Sequence, residues 1–236
     1  MNTLATKPPP MADNYPIQGV NRSVSIPAAG ITLRGDLIIP TDASGLVLFA
    51  HGSGSSRYSP RNQFVARQLQ ESGFGTLLFD LLTPAEENED ALKSHLRFDI
   101  ALLAERLVLA TRWVNHHREL KHLPIGYFGA STGAAAALVA AAEVGSVVGA
   151  VVSRGGRPDL AEARLAEVRA ATLLIVGERD EVVLGMNDAA LQKLNCEKSL
   201  VTVPHATHLF QERGALEQVA ALAANWFALH LTPPGK

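Results

Sequence analysis

The sequence predicts an α/β fold in which a mostly parallel sheet of about eight strands carries helices on both faces. Two observations support this prediction. From residue 45 onward, short apolar runs of strand length alternate with longer segments of helical periodicity, which indicates right-handed crossovers between parallel strands. Before that point, residues 20–26 and 31–39 alternate polar and apolar side chains around Pro27-Ala28-Ala29-Gly30, which predicts a hairpin and hence an antiparallel edge.

The predicted strands are short, and the one at residues 45–50 (GLVLFA) is apolar throughout. Because it has no alternating polar positions, we expect it to lie at the centre of the sheet, buried on both faces. The other strands predicted after the hairpin are residues 75–79, 125–129, 148–152, 172–176 and 199–203.

Helices are predicted between these strands, at residues 59–72, from 132 onward, and at 160–168, 186–194 and 214–230. A further helix, after an acidic loop at residues 84–90, is long and amphipathic. Its apolar side chains recur every three, four or seven residues at Leu92, Leu96, Ile100, Leu103, Leu107 and Val114. The apolar stretch 133–152 is interrupted by Glu143, Gly145 and Ser146, which favours a buried helix and strand over a membrane span.

The 236 residues suit one domain at residues 19–232, preceded by a flexible tail at residues 1–18, and 47% of them are hydrophobic and 19% charged. A net charge of −2 gives no field that favours nucleic acid or an anionic membrane. The first residues lack the apolar segment of a secretory signal. Cys196 is the one cysteine and cannot form an internal disulfide. We therefore expect a cytoplasmic protein, a monomer or a homodimer.

The segment Gly129-Ala130-Ser131-Thr132-Gly133 follows the strand at 125–129 and precedes an alanine-rich helix. A G-x-S-x-G sequence in this strand–turn–helix setting is typical of a turn that exposes a nucleophilic serine at a helix N-terminus. The alternative is a structural serine in a tight turn. The setting favours Ser131 as a catalytic nucleophile.

A serine nucleophile needs a base, and the base needs an acid that orients it. Glu178, Asp180 and Glu181 follow the strand at 172–176, and His205 and His208 follow the next one. The order serine, acid, histidine is that of one class of triad hydrolases. Position alone leaves the choice within each set open.

The loop His51-Gly52-Ser53-Gly54 follows the central strand. We expect the backbone N–H groups of Ser53 and Thr132 to form an oxyanion hole, with Gly54 as a substitute for Ser53. His51 is predicted to hold this loop, and a role as a second base is the alternative.

Together these four segments resemble the α/β-hydrolase superfamily, and within it the dienelactone-hydrolase-like group, over residues 20–230. The resemblance implies an α/β-hydrolase fold. It favours Asp180 as the acid, because G-x-x-D follows this strand in the family, and His208 as the base, because H-x-F precedes the last helix. No lid domain is expected, because residues 154–158 lead directly from a strand into the next helix.

Dienelactone hydrolases proper carry cysteine as the nucleophile, whereas this chain has Ser131. The resemblance thus implies a serine hydrolase that cleaves a carboxylic ester or thioester of a small soluble substrate through an acyl-enzyme, without a cofactor. The alternatives are an acyltransferase or perhydrolase on the same triad, or a non-catalytic ligand-binding homologue. Related chains also occur fused to phosphoribosyltransferase-like domains, which suggests a metabolic role.

Arg57 and Arg154 lie near predicted strand ends and are candidate ligands for an anionic group of the substrate. The alternative is that they pair with Asp159, Glu178 or the acidic residues at 86–90. No metal site is expected, because His116, His117 and His122 fall in a polar segment that suits a solvated helix end.

Overall fold

The computed structural model describes residues 19–231, and these form an eight-stranded sheet covered by helices. The strands are Gly19–Ala28 (β1), Ile31–Pro40 (β2), Leu46–Ala50 (β3), Gly75–Phe79 (β4), Ile125–Ala130 (β5), Val148–Arg154 (β6), Ala171–Gly177 (β7) and Lys198–Val203 (β8). They lie in the order β1-β2-β4-β3-β5-β6-β7-β8. The β1–β2 and β2–β4 pairs are antiparallel and the others are parallel. The predicted fold class is confirmed, while the predicted tail at 1–18 lies outside the described residues.

The helices are Pro60–Glu71 (α1), Pro84–Lys93 (α2), Ile100–His116 (α3), Thr132–Val144 (α4), Glu181–Lys193 (α5) and Ala215–His230 (α6). Short 3-10 segments lie at Leu96–Phe98, Gly145–Val147 and Pro158–Glu167. The first and last helices, α1 and α6, share a hydrophobic core on one face of the sheet. Residues of α3, α4 and α5 and of the 158–167 segment form the core on the other face.

The centre of the sheet is apolar and tightly packed. All five residues of β3 are buried, and the Phe49 ring packs on Phe128 of β5 with the ring centroids 5.0 Å apart. In α4, the side chains of Ala134 to Ala137 are fully buried, since alanine lets a helix approach a sheet closely. The predictions of a central strand at 45–50 and of a buried helix and strand at 133–152 are therefore confirmed. None of the helices within residues 19–231 is long and apolar enough to span a bilayer.

The segment between β4 and α3 differs from the prediction. Residues 84–90, predicted as a loop, belong to α2, which begins with a capping box. The Glu86 N–H donates to Thr83 Oγ1 at 3.2 Å, and the Thr83 N–H donates to Glu86 Oε2 at 2.7 Å. The long helix starts only at Ile100, with Asp99 as its N-cap, and Leu92 is 88% exposed. The apolar periodicity runs across two separate helices, and the Thr83-Pro84-x-Glu86 start signal marks the first of them.

Two further helix predictions need correction. Residues 160–168 do not form an α-helix, because the 3-10 segment Pro158–Glu167 is broken at Glu162, where φ is 47° and ψ is −126°. Helix α5 starts at Glu181 rather than at residue 186, so that Asp180 is its N-cap residue. This second correction places Asp180 at the junction of β7 and α5.

Candidate active site

Four of the predicted residues lie at one edge of the sheet. Strands β5 to β8 are parallel, so their carboxyl ends meet there, which is where ligands bind in sheets of this kind. Ser131 follows β5, Arg154 ends β6, Asp180 follows β7 and His208 lies in the loop after β8. The Ser131 N–H donates to the Arg154 carbonyl oxygen at 3.2 Å, so the turn after β5 lies against the end of β6.

Ser131 occupies a strained turn. Its φ of 52° and ψ of −123° lie in a region that only glycine adopts without strain, and strained residues of this kind cluster at functional sites. The flanking glycines make the turn sterically possible. A β-carbon on Gly133 would lie 2.2 Å from the Ala50 carbonyl oxygen, and one on Gly129 would lie 2.5 Å from the Ala134 Cα. Although Ser131 is the N-cap residue of α4, its hydroxyl makes no capping hydrogen bond, so it is not committed to the helix.

Asp180 and His208 lie together. His208 Nδ1 is 2.6 Å from Asp180 Oδ2, and the Asp180 side chain is 15% exposed against 39% for His208. A proton on Nδ1, donated to the carboxylate, leaves Nε2 of His208 free to accept another. A second candidate acid, Glu178, pairs with the other candidate base, His205: Glu178 Oε2 accepts from the His205 backbone N–H at 2.7 Å. The third candidate acid, Glu181, is the first residue of α5. The structure thus distinguishes the Asp180–His208 pair from the Glu178–His205 pair, whereas the spacing of these residues along the chain does not.

The loop at residues 51–56 lies against the serine turn. A β-carbon on Gly52 would be 3.1 Å from the Ser131 Cβ. The Ser53 N–H donates to Thr132 Oγ1 at 2.9 Å, which ties together the two residues predicted to form the oxyanion hole. The other predicted donor, Gly54, has a φ of +67°.

His51 holds this loop, as predicted. Its side chain is buried, Nε2 accepts from the Leu81 N–H at 3.1 Å, and Nδ1 lies 3.1 Å from the Gly52 carbonyl oxygen. Burial lowers the pKa of His51 and keeps the ring neutral, and both ring nitrogens are engaged. This geometry is that of a structural histidine rather than a second base.

A cavity of about 510 Å³ opens beside the 51–56 loop. Besides the loop, its lining includes the apolar side chains of Leu81, Leu82 and Leu103, the charged side chains of Glu87, Asp90 and Arg97, and Ser59 and Pro60 at the start of α1. We call residues 80–99 the cavity wall, since five of the fifteen lining residues belong to this segment. Apart from the loop itself, the sequence predicts none of these residues as part of a site. The capping box at Thr83 is the sequence signal that locates α2.

An ion pair fixes the cavity wall. Asp90 is buried; its Oδ1 accepts from the Leu96 N–H at 2.7 Å, and its Oδ2 accepts from Arg97 Nε. Burial of the Asp90 carboxyl alone would raise its pKa, but the bonds to Arg97 and to two backbone N–H groups outweigh burial and lower the pKa below its usual value. Glu86 anchors α2 to α3 through Arg106 Nη2 at 3.0 Å.

The two arginines predicted to bind an anionic group, Arg57 and Arg154, differ in whether a carboxylate pairs with them. Arg57 Nε donates to Asp36 Oδ2 at 3.1 Å, its Nη1 binds Asp80, and its guanidinium lies 4.2 Å from the Tyr58 ring centroid. These carboxylates are not the partners considered from the sequence, and they neutralise the charge of Arg57. Arg154 is 8% exposed and forms no ion pair among residues 19–231.

The histidines at the end of α3 bind the backbone. His116 Nδ1 is 2.6 Å from the Arg112 carbonyl oxygen, and His117 Nδ1 is 3.1 Å from that of Trp113. In the part of the chain that the structure describes, no group of three or more His, Cys, Asp or Glu side chains is arranged to hold a metal ion.

The sheet order and the serine turn define the class of protein: the chain has the α/β-hydrolase fold. Residues 33–230 match the sequence profile of the dienelactone hydrolase family, and the chain belongs to this family. A crystal structure of a dienelactone hydrolase from Anabaena variabilis is 57% identical, with a TM-score of 0.89, and the match covers 91% of this chain and 99% of that one.

More distant structures share the fold. Est1E from Butyrivibrio proteoclasticus is 16% identical with a TM-score of 0.70, and the match covers 87% of this chain and 99% of Est1E. Among curated proteins, a Mycobacterium tuberculosis protein with the provisional name phosphoribosyl transferase is 52% identical over 231 residues. That match covers 98% of this chain and 49% of the relative, so the chain spans about half the length of the curated relatives it matches.

Proposed function

We propose that the chain is a serine hydrolase that cleaves a carboxylic ester or thioester of a small substrate through an acyl-enzyme, with Ser131, His208 and Asp180 as its catalytic residues. The observation that carries this proposal is the 2.6 Å contact between His208 Nδ1 and Asp180, at the sheet edge where the strained Ser131 turn also lies. Membership of a hydrolase family supports it.

In the proposed reaction, Ser131 Oγ attacks the substrate carbonyl carbon while His208 Nε2 takes the serine proton. Asp180 holds the imidazole in the required tautomer and stabilises the imidazolium that forms. The leaving alcohol or thiol then receives the proton from His208, and the acyl group stays on Ser131. A water molecule, deprotonated by His208, releases the acid and restores the serine.

The negative charge on the carbonyl oxygen needs donors. We assign them to the backbone N–H groups of Thr132 and Ser53, at the N-terminus of α4, where the helix dipole favours negative charge. In the free protein the Ser53 N–H binds Thr132 Oγ1, so it exchanges this hydroxyl for the oxyanion during the reaction. Losing one such donor typically lowers kcat by about 10²–10³-fold.

The name of the mycobacterial relatives does not alter this proposal. The matched region of those relatives is the one that corresponds to this hydrolase fold.

The proposal is tested with a fluorophosphonate probe and with 4-nitrophenyl acetate. We expect the probe to label the folded wild-type protein once, on Ser131, and Ser131→Ala to abolish labelling and to lower kcat by about 10⁴–10⁶-fold. Ser146→Ala is the control, since this exposed serine lies in the 3-10 segment Gly145–Val147, before β6 and far from its carboxyl end. Labelling that survives Ser131→Ala, or its absence in the wild type, would refute the assignment.

A further inference from the structure

Asn187 is a buried polar residue in the middle of α5 that the proposed triad does not use. Its Nδ2 donates to the Val183 carbonyl oxygen at 2.8 Å and to the Gly156 carbonyl oxygen at 2.9 Å. Its Oδ1 is buried and has no hydrogen-bond partner among residues 19–231. Because a buried oxygen without a partner costs free energy, stability alone would favour an apolar side chain here. The bond to Gly156 is therefore the contact that accounts for an amide at this position.

The bond from Asn187 reaches the serine turn through one peptide unit. The Gly156 carbonyl and the Arg157 N–H belong to the same planar, trans peptide group and point in opposite directions. The carbonyl oxygen accepts from Asn187, and the N–H donates to the Ser131 carbonyl oxygen at 3.1 Å. A rotation of this peptide plane would break both bonds, and hydrogen bonds arranged in such a chain strengthen one another. The Asn187 amide thus fixes the orientation of a donor that holds Ser131.

Residues 154–157, which we call the clamp, engage both backbone polar groups of Ser131. The Ser131 N–H donates to the Arg154 carbonyl oxygen at 3.2 Å, and the Arg157 N–H donates to the Ser131 carbonyl oxygen. That carbonyl oxygen also accepts from the Ala134 N–H at 3.1 Å, at the start of α4. A residue with a φ of 52° keeps its strained conformation only where the surrounding structure holds it. The clamp supplies part of that support.

The clamp also touches the proposed base. A β-carbon on Gly155 would lie 3.5 Å from His208 Nδ1 and 3.2 Å from the His208 carbonyl oxygen. The Gly155 N–H donates to the Ile175 carbonyl oxygen at 2.7 Å, which anchors the clamp on β7. A shift of the clamp would therefore change how Ser131 and His208 face each other.

Asn187 joins this clamp to the helix that begins with the proposed acid. Asp180 is the N-cap residue of α5, and Asn187 follows seven residues later on the same helix. The second bond of its Nδ2, to the Val183 carbonyl oxygen one turn earlier, keeps the amide aligned with that helix. The acid and the nucleophile are thus connected through α5, one amide and one peptide unit.

We propose that Asn187 is a positioning residue for hydrolysis at Ser131, because its amide fixes the peptide between Gly156 and Arg157 and thereby the serine turn. This inference rests on the proposed function and adds a residue that touches neither the substrate nor the reacting atoms. Its loss should weaken the alignment of Ser131 with His208 and leave substrate binding nearly unchanged. A misplacement of about 1 Å can lower a rate by about 10²-fold.

The test measures kcat and KM for 4-nitrophenyl acetate. Asn187→Ala should lower kcat by about 10- to 100-fold and leave KM within about twofold. The matched control is Asn195→Ala, just after α5. The Nδ2 of Asn195 donates to the Ala166 carbonyl oxygen at 3.2 Å, 29 residues away along the chain, whereas Gly156 is 31 residues from Asn187. This control should change neither constant.

Val114→Ala separates a loss of stability from a loss of position. Val114 is fully buried in the last turn of α3, before the loop that leads to the amino end of β5. Alanine there leaves a cavity in the core and should lower the Tm by several degrees. The kcat of this variant, measured below its Tm, should stay within about twofold of the wild type.

Asn187→Asp keeps the shape of the side chain and makes its donor depend on pH. The introduced carboxyl can donate to the Gly156 carbonyl oxygen only when it is protonated, and burial favours that form. The ratio of its kcat to that of the wild type should therefore fall as the pH rises from about 6 to about 9. Both proteins use His208, so the ratio removes the titration of the base. A side chain that only fills space would give a constant ratio.

Amide hydrogen exchange tests the contact without turnover. In Asn187→Ala, the segments 129–133 and 154–157 should exchange faster than in the wild type, and in Asn195→Ala they should not. Both segments are expected to respond because the Arg157 N–H and the Ser131 carbonyl are paired.

A kcat of Asn187→Ala within about threefold of the wild type would overturn the positioning role. Unchanged exchange in the clamp, or a kcat ratio of Asn187→Asp that does not vary with pH, would also overturn it. If Asn187→Ala fails to fold, Asn187→Asp decides by its pH ratio and its exchange. Absence of turnover and of Ser131 labelling in the wild type would contradict the hydrolase, while hydrogen exchange would still show whether Asn187 holds the clamp.

Discussion

The serine turn at 129–133 and the cavity wall at 80–99 flank the same 51–56 loop, but different forces hold them in place. The serine turn is fixed by backbone contacts: Gly129 and Gly133 leave no space for a side chain. The cavity wall is held by side chains, through the Asp90–Arg97 and Glu86–Arg106 pairs. The proposed chemistry thus lies in the turn that has no room for a side chain at Gly129 or Gly133, and we expect the cavity wall to tolerate substitution better.

The largest effect is expected on the acid that orients His208. Asp180→Asn should lower kcat with 4-nitrophenyl acetate by about 10⁴-fold, because an amide that donates to Nδ1 imposes the wrong tautomer on the ring. The matched control is Glu178→Gln, since this half-exposed carboxylate pairs with His205 instead. It should leave kcat within about twofold, as expected for an exposed pair. A large loss in Glu178→Gln with little in Asp180→Asn would assign the acid to Glu178.

The next effect concerns the stability of the serine turn. Gly133→Ala should lower the free energy of unfolding by at least about 4 kcal/mol, since its β-carbon would lie 2.2 Å from the Ala50 carbonyl oxygen and 2.5 Å from that of His51. Gly185→Ala in α5 is the matched control: no atom lies within 4 Å of its β-carbon, and alanine should stabilise the helix by up to about 1 kcal/mol. Urea unfolding measures both. Similar values for the two variants would contradict the packing described for the turn.

The contrast between a turn fixed by the backbone and a wall fixed by side-chain pairs also explains which residues the sequence could predict. Ser131 is recognisable because the turn needs glycine at two fixed positions, and β3 because a central strand is apolar throughout. The choice of Asp180 over Glu178 required the resemblance to a family, since both follow β7 and only the fold shows which one meets His208.

The arginines mark the limit of prediction from the sequence. Arg57 is neutralised by Asp36 in β2 and Asp80 after β4, contacts that depend on how distant segments pair. The apolar periodicity places Arg97 inside one long helix, whereas it lies in a 3-10 turn and lines the cavity. Such residues become visible only when the fold brings them together.

The smallest effect is expected in the cavity wall. Because the pKa of Asp90 is lower in the folded chain than in the unfolded one, its ionised form stabilises the fold above about pH 4. That contribution disappears as the pH falls through the pKa of the folded state. Asp90→Asn should therefore have a lower Tm than the wild type at pH 7, and the gap should narrow below about pH 4 and close as the pH falls through the pKa of the folded state.

Glu89→Gln, an exposed pair with Lys93 on the same helix, is the control for Asp90→Asn and should show almost no gap at pH 7. Freed from Asp90, Arg97 should no longer keep the cavity in one shape. KM should then rise several-fold for 4-nitrophenyl hexanoate, with kcat for 4-nitrophenyl acetate nearly unchanged. A fall in kcat for every ester would mean that the wall acts on the reacting groups themselves, and the division between a rigid serine turn and an adaptable cavity wall would not hold.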